Sequence, residues 1–201
     1  MEQPLSIVLA SRSPRRKEIL ESVGITFEVM VSGADENSSA PCPEGYVEEI
    51  AACKGEAVYR KLCSERGKST ADRILLIAAD TIVVCGGEIL GKPRDLADAC
   101  RMLRALSGTR HEVMTGLYVR YGGKTVSTHE TTRVRFAKLS EEEIEKYVAT
   151  GEPIDKAGAY AIQGLSSKFV ASIEGDFYNV VGLPLYRLYR VAGESFGIEL
   201  Y

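Results

Sequence analysis

The chain has 201 residues, 45% hydrophobic and 26% charged, the balance of an ordinary globular protein, and a single domain over 1–201 with a substantial core is expected. A net charge of -3 and an isoelectric point near 5.6 argue against a nucleic-acid or membrane partner. Five scattered cysteines without a CxxC pair argue against a disulfide framework or zinc site; with no signal pattern or membrane-length apolar run, the expected place is cytoplasmic.

The predicted elements alternate as α/β. Ser6 to Ala10 reads as a short buried strand, followed by a helix over Arg15 to Val23 with Ser13 as N-cap and Pro14 at its first position, ending at Gly24. Thr26 to Val31 alternates as a strand, and 33–45 is a polar loop. Apolar residues then recur at helical spacing from Tyr46 to about Lys61, and 64–73 reads as loop. Ile74 to Ala79 is an apolar run typical of a strand buried on both faces, and Ile82 to Leu90 a hairpin turning at Gly86-Gly87.

Asp95 and Asp98 open a helix to about Ser107, with Leu96, Ala99, Leu103 and Leu106 inward. Glu112 to Tyr121 and Lys124 to Phe136 are paired strands about a second Gly-Gly turn. Ser140 and Glu143 form a capping box for a helix closing at Gly151. Ala159 to Ile162 and Phe169 to Ile173 read as strands, and a helix follows Pro184.

Four features break local rules. Arg15, Arg16 and Lys17 crowd the positive end of a helix, which favours anions. A strand leading into a helix start cradles phosphate, and guanidinium forks suit a multiply charged one; the alternative is a solvated patch paired with Glu18 and Glu21. Asp80 interrupts the apolar run IAADTIV at an expected strand end, where a carboxylate holds Mg2+, takes a proton from water, or merely caps a turn. Lys54 lies on the apolar stripe of its helix, either snorkelling or reaching into a site. Lys92 in GKPRD follows a strand. Asp35 and Glu36 add acids. This set suits a nucleoside triphosphate with its metal. GxxxxGK[ST] and GxSxG are both absent, and the two histidines, His111 and His129, read as structural.

LASRSPRRKEIL, AADTIV, GKPRDLADA, LSGTRHEVMTGL, GEPIDKAGAYAIQG and GDFYNVVGLP, in this order and spacing, resemble the Maf family of nucleotide pyrophosphatases from about residue 5 to residue 190. The resemblance implies an elongated mixed β-sheet flanked by helices, similar to inosine triphosphate pyrophosphatases, with a cleft between two lobes. It implies hydrolysis of a nucleoside triphosphate between the α and β phosphorus atoms with a divalent metal cation, Mg2+ or Mn2+. Carried over by motif, Ser11, Arg15 and Arg16 handle phosphates, and Arg15 also bears on substrate choice. Asp80 is the catalytic acid/base residue, and Lys54, Lys92 and Glu36 complete the catalytic set, Asp80 and Glu36 also serving the metal.

Arg15, Thr81 and Gln163 stand where the branch acting on dTTP and UTP carries Arg, Thr and Gln, which makes these the expected substrates, with modified pyrimidine triphosphates beside them. A glutamine amide offers both a donor and an acceptor to the O4/N3–H edge of uracil or thymine. Arg12 departs from the small or uncharged residue common between the two serines. Nucleotide-pool housekeeping and a homodimer follow from the resemblance. The alternative is a non-catalytic nucleotide-binding regulator of cell division and septum formation.

Overall fold

The computed structural model describes residues 5–31, 33–34 and 37–200. Among them lie strands β1 (Ser6–Leu9), β2 (Glu28–Val29), β3 (Ile74–Cys85), β4 (Glu88–Leu90), β5 (Arg110–Tyr121), β6 (Lys124–Phe136) and β7 (Val170–Glu174). The helices are α1 (Pro14–Ser22), α2 (Pro43–Arg66), α3 (Lys68–Ala71), α4 (Leu96–Leu106), α5 (Glu141–Val148), α6 (Phe177–Val181) and α7 (Leu185–Phe196). The strands form one mixed sheet in the order β2-β1-β3-β5-β6-β7, with β4 added to β3. β1 runs parallel to both β2 and β3, whereas β4 on β3 and β7 on β6 are antiparallel. The expected mixed sheet with accompanying helices is thus present.

The chain forms two compact units. The first comprises the segment up to Asp80, Thr115–Glu130 and the segment from Gly182; the second comprises Thr81–Met114 and Thr131–Val181. In the first, Ala51, Val58 and Leu62 of α2 pack on Leu76 and Ala78 of β3 and on Tyr118 of β5. In the second, Leu103 and Leu106 of α4 and Ile144 and Tyr147 of α5 bury Phe136, Tyr160 and Phe169.

Close backbone approach fixes how α2 sits on β5. A Cβ on Gly116 would stand 2.1 Å from the Val47 carbonyl oxygen, and one on Gly55 2.2 Å from the Tyr118 ring. Only hydrogen fits at either position.

Several expected boundaries shift. The strand at Thr26 to Val31 shrinks to Glu28–Val29, the two residues in register with Val8 and Leu9 at the end of short β1. Pro43, free of any amide to satisfy, starts α2 three residues early, and the helix runs to Arg66 with α3 following at once, so most of 64–73 is helical. Charged residues there form the solvent side of an amphipathic helix, which polarity alone reads as loop. Asp80 neither ends nor breaks a strand: β3 runs through it unbroken for 12 residues, β1 pairing Ile74 to Ile77 and β4 pairing Val83 to Cys85. Leu96, expected inward, is exposed, because it occupies the first turn after the Asp95 cap. Ala159 to Ile162 is no strand, since Gly158 and Ala159 both take positive φ, 66° and 61°, and turn the chain out of extension.

Candidate active site

In the first unit, β1 delivers the chain into Ser11 and the start of α1. Ser13 occupies the N-cap position but its side chain does not cap the helix. Ser11 instead ties together the residues around the helix start without capping it. Its buried hydroxyl accepts the Ser13 N–H at 3.2 Å and Arg16 Nη1 at 3.1 Å. Arg16 Nε donates to the Gly182 carbonyl at 2.7 Å, so this guanidinium is buried and anchored at two atoms. Arg15 is half-buried on the same turn, and Arg12 is exposed. No acidic residue occupies the first turn of α1, where the positive dipole end ordinarily favours one.

Lys54 reaches inward rather than snorkelling. It projects from the α2 stripe that packs on Leu76 and Ala78, and side chains two residues apart on a strand share a face. The next position on that face is Asp80, and Lys54 Nζ meets its Oδ1 at 2.7 Å, both side chains about 15% exposed.

Just beyond Lys54 on α2, a polar network through Glu56 and Tyr59 ties the helix to β5. Tyr118 donates to the Glu56 carboxylate, which also takes Arg120 Nη1 at 3.2 Å. Burial, and then the bond to Glu56, pushes the Tyr118 hydroxyl well above its ordinary pKa. The Arg120 guanidinium lies 3.6 Å over the Tyr59 ring, whose hydroxyl donates to Asp72 at 2.6 Å. That bond, with burial, pushes Tyr59 up to about 12.

Thr81, Lys92 and Gln163 belong to the second unit. Thr81 follows Asp80 directly on β3 and is half-buried; Lys92 is exposed just after β4; Gln163 is exposed at the tip of an irregular loop. Asp35 and Glu36 lie outside the described residues. Among those described, no group of three or more His, Cys, Asp or Glu side chains is placed to hold a metal on protein ligands alone.

Gly182 was invisible to sequence reasoning as an Arg16 partner, because 166 residues separate them and a carbonyl leaves no trace in residue type. His111 is buried between Phe136 and Tyr160, and burial pulls it down to about 4, whereas His129 Nδ1 meets Glu48 Oε1 at 2.6 Å.

Comparison with known proteins gives this geometry its context. A dTTP/UTP pyrophosphatase of Symbiobacterium thermophilum is 48% identical over 97% of this chain and 96% of its own. One from Geotalea uraniireducens is 50% identical over 92% of both. The Ham1 protein of Staphylococcus aureus superposes with a TM-score of 0.50 at 16% identity, covering 82% of this chain and 79% of that one, which is a likeness of fold. The Maf-like protein family model matches residues 6–194, and the chain belongs to that family.

Proposed function

We propose that this protein is a nucleoside triphosphate pyrophosphatase that hydrolyses dTTP and UTP to the monophosphate and pyrophosphate. The observation that carries the reading is the Lys54–Asp80 pair. It sets a carboxylate on a core strand against a lysine from the facing helix, in a chain 48% identical to a protein named for that activity.

In the reading, Asp80 is the general base. Lys54 engages Oδ1, so Oδ2 is the atom that takes the proton from a water directed at the α phosphorus. The water oxygen bonds to that phosphorus, the bridge to the β phosphorus breaks, and the electron pair leaves with pyrophosphate. Positioning and charge neutralisation dominate such a transfer. Arg15 supplies charge at the α1 start; Arg16, anchored by Ser11 and Gly182, holds that turn in shape while adding its own. Lys92 joins them as a cation for the leaving group, and Thr81 and Gln163 face the base; these roles rest on the family pattern.

Mg2+ sites in phosphate chemistry use one or two carboxylates with substrate oxygens and waters, a donor set that Asp80 and Glu36 would meet. A divalent cation held there, Mg2+ or Mn2+, would neutralise phosphate charge and acidify water. The same reading places the protein in the cytoplasm, consistent with five free thiols, and as a homodimer in nucleotide-pool housekeeping.

Product analysis over a panel of nucleoside triphosphates with Mg2+ tests the proposal. Pyrophosphate and monophosphate from dTTP and UTP, lost on chelation, are expected. Orthophosphate would move the attack to the γ phosphorus, and saturable binding without product would leave a nucleotide-binding regulator.

A further inference from the structure

The loop that carries Gln163 is built in an unusual way. Its tip, Ile162 to Leu165, buries no side chain fully; Gln163 and Gly164 are exposed and Leu165 is 54% exposed. No fully buried apolar side chain anchors the tip itself. Beneath the tip lies Ser166, which is fully buried. Its hydroxyl accepts the Ala161 N–H at 3.0 Å and donates to the Ala161 carbonyl at 2.8 Å. A single side chain thus satisfies both backbone groups on the far side of the tip, which only a group that donates and accepts at once can do.

Two more clamps act on the same segment. Glu152 takes the Leu165 N–H on both carboxylate oxygens, each at 3.2 Å, and is steadied by the Tyr147 hydroxyl at 3.1 Å. Gly164 adopts a φ of 106°, and a Cβ there would stand 2.9 Å from Glu152 Oε1, so glycine lets the carboxylate close on the turn. On the other side, Tyr160 is tied to His111 Nε2 at 2.7 Å. Gln163 makes no side-chain hydrogen bond to any described residue. Its amide is therefore unspent, while the backbone on both sides of it is restrained.

We propose that Ser166, supported by Glu152, is a positioning residue for substrate recognition: the clamp beneath the tip presents the Gln163 amide to the pyrimidine base at low ordering cost. This rests on the reading of Gln163 as the residue facing the base. Immobilising a loop before binding removes that cost from the affinity. Loss of the clamp then weakens uniform binding, so the effect falls on KM rather than kcat.

The test compares Ser166→Ala, Gln163→Ala and the double variant with dTTP and UTP, using inorganic tripolyphosphate as a competitive inhibitor that has no base. Each single variant is expected to raise KM about tenfold, the double variant no further than either, with the tripolyphosphate inhibition constant unmoved. Should Ser166→Ala fail to fold, Glu152→Ala releases the Leu165 N–H from a half-buried position and serves in its place. A KM that rises with Gln163→Ala but not with Ser166→Ala, or effects that add fully, overturns the positioning role and leaves the function standing. A fall in kcat at constant KM for Ser166→Ala makes the serine merely structural and also overturns it. If Gln163→Ala leaves KM unchanged, the assignment of Gln163 to the base is lost, and the inference with it.

Discussion

Lys54 and Asp80, 26 residues apart in the chain, meet at 2.7 Å because Lys54 projects from the apolar stripe of α2 and Asp80 continues the strand face on which that stripe packs. Asp80→Asn keeps size and burial but removes the base. It is expected to lower kcat about 1000-fold or more while the protein stays folded and binds dTTP. Lys54→Met is expected to lower kcat as well, and the double variant to lose little beyond Asp80→Asn alone, since the two act as a unit. Pyrophosphate release and calorimetric binding measure both. Retained turnover in Asp80→Asn would remove this carboxylate from the chemistry.

Arg15 and Arg16 are neighbours with different duties. Arg16→Met strips the guanidinium from the Ser11 hydroxyl and the buried Gly182 carbonyl, and is expected to destabilise by about 2 kcal/mol. Arg15→Ala, at a half-buried position, is expected to cost less stability than Arg16→Met but to raise KM severalfold. Urea unfolding beside steady-state kinetics separates them. Equal stability losses in the two variants would contradict the division.

His111 makes stability depend on pH in a defined direction. Its folded pKa is lowered to about 4 by burial, against about 6.5 when unfolded. Above the unfolded value both states are neutral and titration contributes nothing. As pH falls from about 6.5 to about 4, the unfolded state gains a proton that the folded state refuses. Stability therefore drops, by about 3 kcal/mol in total, and levels off below the folded value. Denaturation at pH 7 and pH 4.5 should show a loss in the parent protein that is smaller in His111→Gln. Equal losses in both would assign the acid sensitivity elsewhere.

Gly116 tests the contact between α2 and β5. Its missing Cβ leaves room for the Val47 carbonyl, a backbone atom that no rotamer change can move. Gly116→Ala is expected to cost about 3 kcal/mol or more and to lower activity in whatever remains folded, because displacing α2 displaces Lys54. Thermal unfolding monitored alongside kcat checks both parts, and an unchanged melting temperature would show that α2 has room to yield.

The sequence by itself determined much of this protein. Hydrophobic period, capping residues and Gly-Gly turns are local signals, so β5, β6, α4 and the capping box of α5 stand close to where residue type alone places them. The misplaced cation on α2 and the lone Asp in an apolar run were legible as rule-breaking residues for the same reason. Tertiary structure decided what no local signal carries. Sheet partners carry β3 unbroken through Asp80, and positive φ at Gly158 and Ala159 turns an apparently extended segment into a loop. The Gly182 carbonyl claims Arg16 from 166 residues away, and Ser166 closes the loop beneath Gln163. Backbone groups look alike in every sequence, so the partners that satisfy them become visible only once the chain has folded.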